Sequence, residues 1–238
     1  MMRGERRKVL LLGDSITQQS FSLKHSGWGA GFADWYQRKA DVVNRGFSGY
    51  NSRWMLDMLP ELLPSLQPAS LLMCTIFFGA NDAVTPGDTQ HVPLDEFSLN
   101  LSAMLAILAT HSPQCLVVLI SPPTVDSALW PTRSPAQAAT YAAAVAQVAQ
   151  AERASGRPVA LLDLSSLTPD DLHDGLHLSL SGNAKLLSLL QALVREEHPQ
   201  LCPEAEGADA LAMHFPPCKS FFDGSSEDAL EAIRSWHW

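Results

Sequence analysis

The chain has 238 residues, 46% of them hydrophobic and 17% charged, a balance that supports a substantial core and excludes wholesale disorder. Sixteen basic against 25 acidic residues give a formal net charge of −9, which opposes approach to phosphate backbones and anionic membrane surfaces, so nucleic acid is not an expected partner. The length fits one main α/β domain.

The first apolar run, Val9 to Leu12, follows a basic N-terminus but falls short of the roughly 7–15 residues of a signal-peptide h-region, so no export is expected. It reads instead as a strand over 8–12, with GDSIT directly behind it. Further short apolar runs predict strands over 41–44, 71–78, 115–120 and 158–162, and none approaches the roughly 20 residues of a membrane span. Between them, apolar spacing predicts helices over 29–39, 52–66, 94–109 and 135–154, and a closing helix over 181–197 with Ser179 or Ser181 as its N-cap. Strands without polar alternation, separated by helices, are what a parallel sheet covered on both faces requires; the pattern predicts a doubly wound α/β sandwich.

The segment SPPTVDSALWPTRSP, 121–135, is the longest loop of the core, and its four prolines should stiffen it. After His198 the composition turns to Pro, Gly and Ala, so 1–198 is read as the domain and 199–238 as an appendage, with a short helix over 225–236. Four cysteines are too few for a disulfide scaffold, and Cys74 and Cys115 sit in strand-like runs, which points to a reducing cytoplasm. The appendage holds two His-x-x-x-Cys pairs, His198 with Cys202 and His214 with Cys218. They raise either a zinc site or a Cys202–Cys218 disulfide, though a loose loop fits Pro199, Pro216 and Pro217 equally well.

Ligands of an open parallel sheet bind beyond the carboxyl ends of its strands, where GDS, SGYNS and GANDA fall. Ser15 follows strand one in a turn feeding a helix, so its hydroxyl projects at the sheet edge. A hydroxyl needs a base to become a nucleophile, usually a histidine oriented by a carboxylate. DDLHDGLHLS offers two registers of that pair, Asp170 with His173 and Asp174 with His177. The second is favoured, because Gly175 allows a sharp turn between its members and the closing helix anchors His177; His173 is then a surface-loop residue. Three donors could stabilise an oxyanion: the Ser15 backbone N–H, the Gly49 N–H and the Asn81 side-chain amide.

GDSIT at 13–17, NRGFSGYNS at 44–52, FFGANDA at 77–83 and DGLHLS at 174–179 resemble, in order, the four sequence blocks of the SGNH, or GDSL, hydrolase superfamily. The flanking text GWGAGFADWYQRKADVV, QHVPLDEF and DGLHLSLSGN resembles its isoamyl acetate-hydrolysing esterase branch. The resemblance covers about residues 7–197; the loop 121–135 and the tail depart from it. It implies a three-layer α/β/α sandwich with a five-stranded parallel sheet. It also implies Ser15 as nucleophile, Asp174 and His177 as the other triad members, and Gly49 and Asn81 as oxyanion donors.

The expected function is therefore hydrolysis of small, acetate-type carboxylic esters, without metal or organic cofactor. A carbohydrate O-deacetylase or thioesterase would use the same residues, and a non-catalytic binding module is the rival of another class. Trp130 is expected to wall the substrate pocket. Asp14, Arg45, Tyr50 and Asn51 should shape loops, and Trp28, Trp35 and Trp54 should pack in the core or an interface.

Overall fold

A computed structural model of the chain describes residues 6–206 and 210–213. Five strands, β1 (Lys8–Gly13), β2 (Asp41–Gly46), β3 (Leu71–Phe77), β4 (Leu116–Ile120) and β5 (Val159–Leu162), form one parallel sheet in the order β2-β1-β3-β4-β5. The chain passes from β1 to β2 on one side and then crosses back to β3 on the other, so the topological switch point lies at the C-terminal end of β1.

The helices are α1 (Ser15–Gln18), α2 (Trp28–Trp35), α3 (Ser52–Leu62), α4 (Leu94–His111), α5 (Pro135–Ala154) and α6 (Leu180–Glu197). Successive strand residues point to opposite faces and divide the core in two. Leu10, Leu12, Cys74, Ile76, Val117 and Leu119 meet Met55, Leu59, Met104, Leu105 and Val145 of α3, α4 and α5. Val9, Leu11, Met73, Phe77, Val118 and Ile120 meet Trp28, Phe32, Leu186, Leu190 and Val194 of α2 and α6. The residues of β1 from Val9 to Leu12 are fully buried, as a sheet covered on both faces demands, and truncating one of them to alanine would cost about 2–5 kcal/mol. The architecture is the predicted three-layer α/β/α sandwich.

Boundaries differ from expectation for local reasons. The first turn of the predicted helix 29–39 moves to Trp28, and the helix stops at Trp35 because the following turn takes Arg38 to φ 61°, where the Lys39 N–H bonds the Tyr36 carbonyl. Pro60 is carried inside α3, but the chain then tightens into a 3-10 turn over Leu63–Ser65, which contains Pro64. Of the two candidate caps for α6, Ser179 takes the position and accepts from the Gly182 N–H. Trp28 and Trp35 pack around the second core, whereas Trp54 is partly exposed, edge-on to Tyr50.

Past α6 the described chain keeps to the α2 face, where Cys202 and Leu211 are buried, the Tyr36 hydroxyl donates to the Leu201 carbonyl at 2.7 Å, and Lys39 Nζ donates to the Leu211 carbonyl. Cys74, Cys115 and Cys202 are free and buried. His214 and Cys218, with the predicted helix 225–236, lie outside the described residues. No helix among the described residues is long and apolar enough to cross a membrane.

Candidate active site

The backbone of the GDS turn sets Ser15 at the start of α1. Asp14, the N-cap, accepts from the Ile16 N–H at 2.9 Å, which closes the turn and directs the next side chain outward from the end of β1. Across the cleft, Gly175 takes φ +84° in a tight turn, and the chain returns so that Leu172 and Leu178 form an antiparallel bridge and the His173 N–H bonds the His177 carbonyl. This hairpin-like turn folds Asp174 back on His177. One carboxylate oxygen accepts from the backbone N–H groups of Leu176 and His177, and the other lies 2.7 Å from His177 Nδ1. His177 Nε2 lies 2.8 Å from Ser15 Oγ.

An ionised carboxylate can only accept, so the ring proton belongs on Nδ1 and the Nε2 lone pair faces the Ser15 hydroxyl. Burial alone would favour protonated Asp174, but the two N–H groups of His177 and that of Leu176 outweigh it and hold the carboxyl below its ordinary range. The arrangement can deprotonate a hydroxyl at the switch point. Of the two Asp-x-x-His registers, Asp174 with His177 is the one that reaches Ser15.

On the other side, Asn51 caps α3 by accepting from the Trp54 N–H, and its amide donates to the Gln90 carbonyl, which fixes the loop from Phe47 to Ser52. Gly49 in that loop has φ +81°, a conformation any side chain would strain. Its carbonyl accepts from Gln90 Nε2 at 2.7 Å. Asn81 follows β3, is only 3% exposed, and donates through Nδ2 to the Tyr50 carbonyl at 2.8 Å. An amide nitrogen carries two hydrogens, so a second remains for an anion.

Two of the groups that hold these donors, Arg133 and Asp82, have no role assigned from the sequence. Arg133, 8% exposed, donates through Nη2 to Asn81 Oδ1 at 2.8 Å and to Gln90 Oε1 at 3.2 Å, and through Nε to the Ala80 carbonyl at 3.1 Å. A guanidinium has no acceptor, so Oδ1 must face it and Nδ2 must face away. Burial lowers the Arg133 pKa, opposed by the charges of Asp88 and Asp14. Asp82 bonds the N–H groups of Ser52 and Gly79 and so ties the start of α3 to the end of β3. Burial pushes Asp82 up to about 6 and Asp14 up to about 7, each against hydrogen bonds that pull the other way.

Trp130 joins the halves. Its Nε1 donates to the Asp174 carbonyl at 2.9 Å, its ring stands edge-on to His177, and the Arg133 guanidinium lies 5.0 Å from its ring centroid. The loop that carries both residues is closed by turns at Asp126 and Trp130 and bonded to Gly175 and Thr85. The only sequence signal for Arg133 was a lone basic residue in a proline-framed loop.

The chain matches the model of the GDSL-like Lipase/Acylhydrolase family over residues 11–185. It is 36% identical to a GDSL esterase/lipase of Arabidopsis thaliana over 91% of this chain and 98% of that protein. It is 42% identical to the isoamyl acetate-hydrolyzing esterase 1 homolog of Bos taurus over 80% of this chain and 82% of that one. A lipase/acylhydrolase structure from Enterococcus faecalis superposes with a TM-score of 0.63 at 26% identity, covering 84% of this chain and 100% of that one. An acetylxylan esterase from Geobacillus stearothermophilus, 22% identical, shares the fold with a TM-score of 0.59 over 83% of this chain and 97% of that one. A serine, histidine and aspartate converging at the switch point of this sheet, in a chain so matched, lead to one conclusion: the protein belongs to the GDSL-like lipase/acylhydrolase family and is a carboxylic ester hydrolase.

Proposed function

We propose that the chain hydrolyses small acetate-type esters through a covalent acyl-enzyme on Ser15. The observation that carries this reading is the continuous relay from Asp174 Oδ2 to His177 Nδ1, 2.7 Å, and from His177 Nε2 to Ser15 Oγ, 2.8 Å. Ser15 Oγ bonds to the carbonyl carbon as its proton passes to His177 Nε2, and the electron pair of the carbonyl moves onto its oxygen. The Ser15 and Gly49 backbone N–H groups and the free hydrogen of Asn81 Nδ2 receive that oxyanion. Collapse breaks the bond to the alcohol, which leaves with the proton from His177. Water, deprotonated by the same imidazole, then releases the acid. Every group in the cycle is a protein side chain or N–H, so the reading requires no cofactor.

His177 works as a base only when neutral, so activity should fall as acid protonates the ring. The names of the bovine and Arabidopsis relatives support an ester substrate, and the isoamyl acetate name supports a short acyl group. Trp130, beside His177, would form one wall of the acyl or alcohol pocket; an unchanged chain-length preference in Trp130→Ala would remove it from that role. The free thiols of Cys74, Cys115 and Cys202 support a reducing compartment, the cytoplasm.

The test is hydrolysis of p-nitrophenyl acetate and butyrate by the wild type, Ser15→Ala, His177→Ala and His173→Ala, each checked for folding. Losses of about 1000-fold or more in Ser15→Ala and His177→Ala are expected, with His173→Ala near wild type. A wild type inactive on both esters would favour a binding module or a different ester class.

A further inference from the structure

His173 was expected to be an unremarkable loop histidine, and the mechanism above does not use it. The structure nevertheless sets it in a column of three imidazoles. His25 stacks on His173 with centroids 4.3 Å apart and planes within 3°, and His173 stacks on His177 at 6.0 Å. The cause is local: the antiparallel bridge at Leu172 and Leu178 places residues 173 and 177 opposite each other, on the same side of the turn. His173 Nδ1 thereby comes within 4.0 Å of Asp174 Oδ2, the same oxygen that lies 2.7 Å from His177 Nδ1. The ligand atoms of His173, Asp174 and His177 all fall within 4.8 Å of one another, and all three side chains are in part open to solvent.

Two imidazole nitrogens and one carboxylate oxygen, reachable from water, form a donor set suited to zinc, which takes such ligands at about 2.0–2.2 Å. We propose that His173, Asp174 and His177 form an inhibitory zinc site, one that switches the esterase off by capturing the acid end of its triad. This rests on the proposed role of His177 as base, and the site forms when the three side chains turn so that their donors, already within 4.8 Å of one another, meet on one ion. The step balances without any other reactant. Zinc takes the lone pair at His177 Nδ1, and the single proton of the neutral ring moves from Nδ1 to Nε2. Nε2–H then donates to Ser15 Oγ and can no longer accept its proton, so the imidazole is held in the tautomer that cannot act as base. Asp174, now a zinc ligand, no longer orients the ring. His25, lying flat against His173, keeps that ring turned toward the site.

The experiment adds zinc chloride to wild type and to His173→Gln, following p-nitrophenyl acetate hydrolysis and, separately, heat of binding by titration calorimetry. The wild type should lose activity reversibly, with recovery on chelation. In His173→Gln the zinc concentration giving half inhibition should rise about tenfold or more, while zinc-free activity stays at the wild-type level. Calorimetry should show a binding event in the wild type that is absent from both His173→Gln and His177→Ala. That arm needs no turnover, so it decides the zinc site even if the protein hydrolysed neither ester. Equal inhibition of wild type and His173→Gln, no inhibition of an active wild type, or a binding event retained in both variants would overturn the proposal.

Discussion

The two sides of the cleft are built in opposite ways. Asp174 and His177 stand on one short turn, and that turn supplies most of its own hydrogen bonds, from the Leu176 and His177 N–H groups to the carboxylate. The side to which we assign the oxyanion gathers Gly49, Asn81 and Arg133 from three distant segments, and it depends on three buried ionisable groups, Asp14, Asp82 and Arg133. A turn that makes most of its own hydrogen bonds depends little on distant segments. A charge network is rigid only while every member is present, because each buried polar group left without a partner costs about 1–3 kcal/mol. Substitutions on the two sides should therefore separate into losses of chemistry alone and losses of chemistry together with stability.

The largest effect that sharpens this contrast is expected in Asn81→Ala, where kcat for p-nitrophenyl acetate should fall about 100-fold to 1000-fold with KM little changed. A rise in KM with kcat unchanged would show that Asn81 binds the ground state and not the oxyanion. Next, Arg133→Lys keeps the charge but loses the planar fork that serves Ala80, Asn81 and Gln90 at once. Its kcat should drop about tenfold and its urea midpoint should fall as well, by about 1–3 kcal/mol of stability. A Lys variant as stable and active as wild type would break the comparison, since the oxyanion side would then not need its network.

A smaller effect should appear in the pH dependence of melting. Asp14 titrates near 7 in the folded protein, far above the ordinary 3.8, and Asp82 near 6, in both cases first because they are buried. The folded state thus holds protons that the unfolded chain has already released. The stabilisation this brings is complete below about pH 4 and is lost as pH rises through about 6 and 7. Asp14→Asn, which can still cap α1 through its side-chain oxygen, should melt with a flatter profile between about pH 5 and 8. The smallest effect belongs to Trp130→Phe, which keeps the ring beneath Arg133 but removes the bond to the Asp174 carbonyl, worth about 1 kcal/mol.

What could be read in the sequence follows the same division. The strands were visible because both faces are covered, so Val9 to Leu12 or Val117 to Ile120 are apolar without interruption. The Asp174–His177 pair was visible because its members are three residues apart, with Gly175 between them to make the turn. Arg133 was not, since nothing in PTRSP distinguishes a surface arginine from one buried against Asn81, 52 residues away. Asp82 was hidden for the same reason: its partner Ser52 lies 30 residues upstream. The stacking of His25 on His173 likewise joins residues with no common motif. Local spacing encodes turns and triads; long-range polar networks leave single residues that look ordinary.

The central claim is that Ser15 is the one hydroxyl activated by the relay. It is tested most directly by treating the intact protein with a fluorophosphonate and locating the adduct by peptide mass spectrometry. A single adduct on Ser15 is predicted, absent in Ser15→Ala and formed far more slowly in His177→Ala. An adduct on another serine, or none on a protein that hydrolyses p-nitrophenyl acetate, would contradict the account.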